Sequence, residues 1–410
     1  MSAKPRQLGD VGLGDSLRDF ISALFDPPAA EFAAEFRAWL ADVDAKERIR
    51  SIRDAEAEGA WDLEYELLLD WQRKLASNGW LCIAWPREYG GRDANIYEQA
   101  VYERELARLK NPQLPAIVGV NMVGPTLIRR GTDEQRQRFV TEISSGRSTW
   151  CQGFSEPDAG SDLASLTTRA EKVDGGWRLV GQKTWTSYAH VAEYGCFLAR
   201  TDSTSRHHGI SVFLLQMNQA SIDIQSIETI DGKRKINGVF LDGAFVPDSQ
   251  VLGEVNEGWR LIREMLAQER IGVARLAFAL EPVLTDVLNL ASENSRHQPE
   301  WRRHIVDYAE LRNLYGRVLA AFALIHDQML AMGGGAADPS TAAIGKLVAT
   351  ELTQDIYRFG AALNRESKSI SRGASMLDRD YLTSLSKTIA GGVSEIQMNI
   401  IAERALGLPR

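Results

Sequence analysis

The chain has 410 residues, of which 44% are hydrophobic and 25% are charged, and its formal net charge is −8. This composition is typical of a globular protein with two or three domains, and it excludes a largely disordered or fibrous chain. Non-specific binding to nucleic acid requires a clustered cationic surface, so the net negative charge argues against a nucleic-acid partner.

The cysteine and histidine patterns argue against several kinds of site. Cys82, Cys151 and Cys196 are far apart and form no CxxC pair, so neither a disulfide framework nor a zinc ribbon is expected. The six histidines form no HExxH pair, and no metal site is expected. The first residues lack the apolar segment of a secretory signal, and no apolar run reaches about 18 residues. We therefore expect a cytoplasmic protein that does not enter a membrane.

The first third of the chain is predicted to be mostly helical. Residues 1–29 end in Asp26-Pro27-Pro28 and indicate a loose leader. Residues 30–148 form a predicted N-terminal helical domain, because apolar side chains recur there at helical spacing. The clearest series is Leu63, Leu67, Leu68, Trp71 and Leu75. Asn78-Gly79 is expected to end that helix.

The pattern changes at about residue 149. Over residues 149–256, short β-type runs alternate with turn residues, which predicts a middle β domain built as a small barrel or a sandwich. The predicted strands contain Trp177–Val180, Cys196–Ala199, Ile210–Leu215, Ile222–Ile224 and Gly238–Leu241. Residues 257–410 return to helical spacing, with long helices over about 301–332 and 342–367. The last helix is expected to begin near Ser394 and to end at Gly407.

Three stretches carry the candidate chemistry. Gly153-Phe-Ser-Glu-Pro-Asp-Ala-Gly-Ser-Asp162 is a polar turn that offers backbone N–H groups and a hydroxyl to the edge of an electron-rich ring. Gly181-Gln-Lys-Thr-Trp-Thr-Ser187 places a tryptophan beside hydroxyl residues on a predicted strand, where it can wall a flavin. Gly391-Gly-Val-Ser-Glu-Ile-Gln-Met-Asn-Ile-Ile-Ala-Glu-Arg404 lies near the C-terminus. Taken singly, Trp185 is more typical of a barrel core residue, and Ser155 and Ser161 are typical of turn-forming residues.

In this order within an α–β–α chain, the three stretches resemble the acyl-CoA dehydrogenase family over about residues 35–410. The Gly-Gly before the last Ser-Glu-Ile-Gln is similar to actinobacterial-type members, some of which act on steroid or other bulky acyl chains. The resemblance implies an α+β multi-domain fold with an N-terminal helical domain, a β-barrel-like middle domain and a C-terminal four-helix bundle. It also implies FAD, an acyl-CoA substrate, an electron-transferring flavoprotein as electron acceptor, and a tetramer.

The resemblance assigns five residues to the flavin. Backbone groups of Gln152 and Phe154 line the flavin, and the Ser155 hydroxyl bonds to the ring. Trp185 packs on the ring, and Ser187 faces N5.

The remaining assignments concern substrate and chemistry. Ser161 matches a position that touches the CoA portion. In the family's reaction, a carboxylate takes the α proton and the β hydrogen leaves as hydride, while hydrogen bonds stabilise the developing enolate. The usual base position is Gly391 here, but a subset of members carries Glu-Arg on the first long helix after the β domain, matched by Glu269-Arg270. We expect Glu269 to be the base, with Glu264 as the alternative, and Arg270 to bind substrate. The Gly391 N–H is expected to bond the thioester carbonyl, and its missing side chain favours a branched or ring-bearing acyl group.

Two family motifs that contact the FAD of a neighbouring subunit are missing. The Arg-x-x-Phe-Gly region reads Ala291-Ser-Glu-Asn-Ser-Arg-His297, and the Gln-x-x-Gly-Gly region reads Ala361-Ala-Leu-Asn-Arg-Glu-Ser-Lys-Ser369. Either a homotetramer holds FAD through other residues, such as Arg296 or Arg365, or a homologous subunit completes the site in an α2β2 tetramer. Two other functions stay open on the same fold: a flavin monooxygenase or oxidase, and a partly degenerate supporting subunit. The acyl chain and its carrier, CoA or a carrier protein, are not specified by the sequence.

Overall fold

The structure is a computed structural model that describes residues 13–268, 275–297, 305–333, 339–366 and 372–409. The chain forms two compact units. The first combines residues 13–49 and 95–111 with the described residues from 275 onward, and the second contains residues 50–94 and 112–268. Residues 30–148, the predicted N-terminal domain, are therefore divided between the two units. The domain boundaries read from the sequence stay a prediction.

Helices occupy most of the N-terminal third and the C-terminal third of the chain. They are α1 (Leu13–Phe25), α2 (Ala30–Asp42), α3 (Ala45–Glu58), α4 (Trp61–Ser77), α5 (Ile96–Arg108), α6 (Gly124–Arg130), α7 (Asp133–Gln135), α8 (Thr141–Ser144), α9 (Gly258–Gln268), α10 (Leu280–His297), α11 (Ile305–Gly333), α12 (Pro339–Glu366), α13 (Arg372–Leu385) and α14 (Ser394–Arg404). The predicted end of α4 at Asn78 and the predicted last helix are confirmed. Helix α13 was not expected from the sequence.

The expectation of a loose leader is wrong for residues 13–29. Helix α1 buries Leu17, Ile21 and Phe25 completely, and these side chains belong to the same core as the C-terminal helices. Three apolar residues at i, i+4 and i+8 form the stripe that drives this packing. The stripe is hard to recognise in the sequence because the Pro27-Pro28 pair directly after it is typical of a loop.

An ion-pair cluster also anchors the end of this segment. Asp26 accepts a hydrogen bond from Arg37 at 2.8 Å and another from Arg104, whose side chain is fully buried. Arg104 and Arg37 also bind Glu105, at 2.9 and 2.8 Å. Burial by itself raises the pKa of Asp26, but the two arginines outweigh it and hold that pKa below its ordinary value.

The first unit has its core among the C-terminal helices. Buried side chains from α10 to α13 pack together with those of α1, which confirms the expected C-terminal helical bundle. Representative members of this core are Leu284, Val287, Leu314, Val318, Phe322, Leu352, Ile356 and Leu377. Aromatic edges support the packing, as where the rings of Phe25 and Phe278 meet at 5.1 Å.

The second unit contains an eight-stranded sheet. Its strands are β1 (Trp150–Gly153), β2 (Arg169–Val173), β3 (Gly176–Ser187), β4 (Tyr194–Arg200), β5 (Ile210–Gln216), β6 (Ile222–Ile227), β7 (Ile236–Pro247) and β8 (Val251–Leu252). The spatial order is β6-β7-β3-β2-β4-β5-β8, with β1 beside β4. All five predicted strands are confirmed, and all eight strands belong to one hydrogen-bonded sheet.

Two strand pairings position the site. Strand β1 runs parallel to β4, and Gln152 pairs with Cys196. Strand β3 pairs with β7 along most of its length, and the register shifts between Lys183 and Thr186. This shift is a β-bulge, which bends a strand and redirects its side chains. Among the described residues, no helix is both long enough and apolar enough to cross a membrane.

Candidate functional site

A tight turn follows β1 and carries the first motif. Glu156 and Ala159 exchange backbone hydrogen bonds of 3.0 and 3.1 Å, which closes the turn. Gly153 precedes it in a position where a Cβ atom would lie 2.3 Å from the Phe197 ring, so a side chain there has no room. Phe154 is buried and Ser155 is half-buried. The turn is therefore fixed in place by the sheet below it.

The bulge in β3 carries the second motif. Trp185 lies at the bulge with a φ of 58°, in the left-handed region that large side chains rarely adopt. Its side chain is 63% exposed. The alternative that Trp185 is a barrel core residue is therefore wrong. A strained backbone that presents a large aromatic side chain to solvent is a typical sign of a binding site.

A backbone hydrogen bond joins the two motifs. The Thr184 N–H donates to the Ser155 carbonyl at 2.9 Å, so the turn lies directly beside the bulge. Ser187 lies between two left-handed residues, Trp185 and Tyr188. Within the described part of the chain, the hydroxyls of Ser155 and Ser187 have no hydrogen-bond partner. Both are therefore available to a ligand.

A buried ion pair reinforces this junction. The Lys183 ammonium, which is fully buried, donates to Glu156 at 2.7 Å and to the Phe154 carbonyl at 3.2 Å. The Glu156 carboxylate also accepts from the Thr167 backbone N–H and hydroxyl, at 2.6 and 2.8 Å, and from the Thr168 N–H at 2.9 Å. Both charges are thus compensated by close partners, which a buried pair requires.

The pKa values of the pair follow from burial and from this contact. Burial alone raises the pKa of Glu156, but the Lys183 ammonium and the hydrogen bonds from Thr168 and Thr167 outweigh it, so the pKa lies well below its ordinary value. Burial lowers the pKa of Lys183 against the opposing effect of Glu156.

The ion pair also sets the direction of a backbone donor. Lys183 holds the Phe154 carbonyl, and in a trans peptide the following N–H points the opposite way. The Ser155 N–H is therefore directed away from Lys183. Together, the Ser155 N–H and hydroxyl, the Ser187 hydroxyl and the Trp185 ring can hold a planar heteroaromatic group, with stacking on its face and hydrogen bonds at its edge.

The other predicted flavin and substrate residues are placed as follows. Gln152 lies on β1 and is half-buried, one residue before the turn. Ser161 is exposed in the loop after the turn, next to Asp162, which pairs with Arg206 at 2.5 Å.

Glu269 and Arg270 lie outside the described residues, as do the side chains of Arg296 and Arg365. The alternative base, Glu264 on α9, is described. Its two carboxylate oxygens pair with Arg130 at 3.0 Å and Arg260 at 3.2 Å. These two pairs disfavour Glu264 as a base.

Gly391 belongs to the first unit, in the loop before α14. Its φ is +67°, and that of Gly392 is +94°. A Cβ atom on Gly391 would meet nothing within 4 Å, so the left-handed backbone, not lack of space, favours glycine there.

Sequence reasoning missed Glu156 and Lys183, although both lie inside the motifs it selected. The sequence does contain a hint of this ion pair, because the two motifs assigned to the same ligand carry opposite charges, Glu156 in one and Lys183 in the other.

Three family models cover almost the whole chain. The acyl-CoA dehydrogenase N-terminal domain matches residues 15–147, the middle domain matches residues 151–242 and the C-terminal domain matches residues 256–406. An α–β–α fold with an exposed aromatic and free hydroxyls at the sheet domain fits this class of flavoprotein oxidoreductase. The chain belongs to the acyl-CoA dehydrogenase family and is an enzyme of that type.

Two relatives come from Mycobacterium tuberculosis. The chain is 34% identical to the acyl-CoA dehydrogenase IpdE1 over 389 residues, which cover 93% of this chain and 98% of IpdE1. It is 39% identical to the acyl-CoA dehydrogenase FadE34 over 348 residues, or 83% of this chain. That match spans only 46% of FadE34, so FadE34 is about twice as long.

Two solved structures share the fold over nearly the full length. The Tcur3481-Tcur3483 steroid ACAD matches with a TM-score of 0.82 and 31% identity, covering 94% of this chain and 99% of that one. The ChsE4-ChsE5 complex from Mycobacterium tuberculosis matches with a TM-score of 0.72 and 28% identity, covering 100% and 99%.

The first prediction concerns the buried pair. Glu156→Gln keeps the side-chain shape but leaves the Lys183 charge uncompensated, so the free energy of unfolding should fall by about 3–5 kcal/mol. Because the folded pKa of Glu156 is depressed, its contribution is complete above about pH 4.5 and is lost as the pH falls further. The variant should therefore lose less stability than the wild type over that acid range. Denaturant unfolding at several pH values measures both effects.

The matched control is Glu171→Gln. Glu171 is 53% exposed and pairs with Arg169 on the same sheet domain, so its loss should change stability by less than about 0.5 kcal/mol. Equal unfolding free energies for the two variants would contradict the role assigned to the buried pair.

Proposed function

We propose that the protein catalyses FAD-dependent α,β-dehydrogenation of a bulky or branched acyl thioester. The observation that carries this proposal is the exposed, left-handed Trp185, held beside the unpartnered hydroxyls of Ser155 and Ser187. A structural aromatic residue would be buried, whereas a residue that stacks on a cofactor must be exposed in the protein alone.

The residues of the second unit fit the flavin ring of FAD. The Trp185 indole offers a flat face, while the Ser155 N–H and hydroxyl and the Ser187 hydroxyl offer donors for a ring edge rich in acceptors. Gln152 and Phe154, on the strand and turn below, line the same position. When bound, FAD supplies the acceptor for the β hydride.

The proton is assigned to a carboxylate of this chain. Glu269 would take the α proton as the C–H bond breaks, and Arg270 would bind the substrate beside it. The Gly391 N–H would donate to the thioester oxygen, where negative charge develops. The α proton then resides on Glu269, the β hydrogen has left as hydride, and a carbon–carbon double bond joins the two carbons.

Two observations support a bulky acyl chain. Glycine at position 391 adds no side chain, and a Cβ there would meet nothing within 4 Å in the described structure. The solved structure with the TM-score of 0.82 is called a steroid ACAD. We infer a ring-bearing acyl-CoA of the steroid side-chain type, with an electron-transferring flavoprotein as the electron acceptor and Ser161 on the CoA side.

We further propose an α2β2 tetramer with a homologous subunit. Family members lend an arginine, a Phe-Gly pair and a Gln-x-x-Gly-Gly segment to a neighbour's FAD, and this chain lacks them over 291–297 and 361–369. A charge-assisted hydrogen bond is worth about 1.5–3 kcal/mol, so their absence weakens a homotetrameric site. The name ChsE4-ChsE5 complex supports such pairing in a similar protein.

The second prediction tests the flavin site. Trp185→Ala removes the stacking face, so flavin content should fall, while the apoprotein should stay folded because the side chain is 63% exposed. Oxidised flavins absorb at about 450 nm, so absorbance in this region reports how much of the protein carries flavin. Thermal unfolding of the apoprotein reports stability. Phe245→Ala is the control, since Phe245 is a 41% exposed aromatic on the same sheet. Full flavin content in Trp185→Ala would refute the assignment.

The third prediction tests the base. Glu269→Gln should lower turnover by about 10²–10⁴-fold, because the amide cannot accept the α proton, and should leave flavin content unchanged. Single-turnover reduction of the flavin by a steroid-type acyl-CoA measures this. Glu264→Gln, five positions earlier in the sequence, should keep its activity. Near-normal turnover in Glu269→Gln would rule Glu269 out as the base.

The fourth prediction concerns assembly. Expressed alone, the chain should hold well under one FAD per chain. Coexpressed with a homologous subunit that carries both missing motifs, it should form a tetramer with one FAD per heterodimer, as judged by light scattering and flavin absorbance. A homotetramer with one FAD per chain and full turnover would contradict the heteromer.

A further inference from the structure

A buried lysine binds the loop that contains the two glycines. Lys346 lies on α12 and is 5% exposed. Its ammonium donates to the Gly392 carbonyl at 2.6 Å and to the Thr388 carbonyl at 3.4 Å. The Gly392 carbonyl precedes α14 and takes no part in the hydrogen-bond ladder of that helix. Lys346 therefore holds the backbone of the loop at Gly392 and, more weakly, at Thr388, the last residue of a short 3-10 helix.

A buried glutamine holds the same backbone and shares one of its carbonyls with Lys346. Gln397, on the first turn of α14, donates through Nε2 to the Gly391 carbonyl at 3.3 Å and to the Gly392 carbonyl at 3.2 Å. A Cβ atom on Gly392 would lie 2.6 Å from this same Nε2 atom. The φ of +94° favours glycine at position 392, and a Cβ atom there would displace the Gln397 amide from the loop.

Further polar contacts from α12 fix the ends of the loop. Glu351 accepts from the Ser394 hydroxyl at 2.6 Å, at the start of α14. Gln354 donates to the Thr388 hydroxyl at 3.1 Å, at the start of the loop. Helix α12 thus determines where the loop begins, turns and ends.

Lys346 and Gln397 together form a clamp on the Gly391 and Gly392 carbonyls. This clamp determines where the backbone N–H donors of the loop point. In a trans peptide, C=O and the following N–H are antiparallel, so the N–H groups of Gly392 and Val393 point away from Lys346 and Gln397. Neither N–H has an acceptor in the described part of the chain. The N–H of Gly391 is linked to the clamped plane through its own φ of +67°. Consecutive N–H groups in such a turn suit an oxygen that gains negative charge.

We propose that Lys346 is a positioning residue for the reaction, assisted by Gln397. By binding the Gly391 and Gly392 carbonyls, the two side chains fix the peptide planes that carry the Gly392 and Val393 N–H groups. They thereby orient the loop whose N–H groups would receive the thioester oxygen. This inference rests on the proposed function, which assigns the thioester carbonyl to Gly391. Burying an ammonium is unfavourable unless it is well hydrogen-bonded, and Lys346 directs its bonds to this loop.

The fifth prediction is a separation of kcat from KM. Lys346→Met keeps the length of the side chain but removes the donor, and misplacement of a donor by about 1 Å lowers the rate by about 10²-fold. The bond to the oxygen strengthens as charge develops, so kcat should fall far more than KM rises. Flavin content should be unchanged, the crystallographic B-factors of Gly391–Val393 should rise relative to those of helix α12, and Lys346→Arg should restore part of kcat.

Two further variants complete the test. Every variant is measured in the assembled holoenzyme. Gln397→Leu should reproduce the effect in weaker form. Arg358→Met, which removes a 63% exposed cation from the same helix, should change neither kcat nor the B-factors of the loop. Wild-type kcat and unchanged loop B-factors in Lys346→Met would overturn the inference. If no acyl thioester reduces the flavin of the wild type, the proposed function fails, and unchanged loop B-factors in Lys346→Met would then separately overturn the role of Lys346 in holding the loop.

Discussion

The candidate flavin site depends on one interaction, the buried ion pair between Glu156 and Lys183. The two charges lie 2.7 Å apart, and neither side chain is more than 4% exposed. Removing ions from water costs several kcal/mol each, so such a pair persists only with close geometry and further hydrogen bonds. The threonine donors and the Phe154 carbonyl supply them. The pair joins the turn after β1 to the bulge in β3, and the positions of Ser155 and Trp185 follow from that junction.

The two units use the same physical device. Lys183 binds the carbonyl of Phe154 in one, and Lys346 binds the carbonyl of Gly392 in the other. In each case a buried ammonium fixes one side of a peptide plane, so that the N–H on the opposite side is presented outward. A ligand that gains negative charge then meets donors already oriented, and no reorganisation is needed when the charge develops.

The left-handed backbone at Trp185 is held by the contacts around it. A left-handed tryptophan with 63% of its side chain exposed adds little to the stability of the chain alone. It persists because the sheet pairing on both sides of the bulge and the Thr184–Ser155 hydrogen bond determine the backbone there. In helix α1, by contrast, Leu17, Ile21 and Phe25 are fully buried and contribute to the core of the first unit.

The sequence by itself determined the order of a helical region, a β region and a second helical region, and it determined the family. Short β-type runs that alternate with turn residues are a local pattern, and so is the helical spacing from Leu63 to Leu75. The motifs that contain Ser155, Trp185 and Gly391 are local as well. Only the tertiary structure decided that residues 13–29 pack in the core, that Trp185 is exposed, and that Glu156 and Lys183 meet. These facts depend on contacts between residues far apart in the chain, such as the 27 positions that separate Glu156 from Lys183. Local periodicity carries no information about which distant side chain compensates a buried charge.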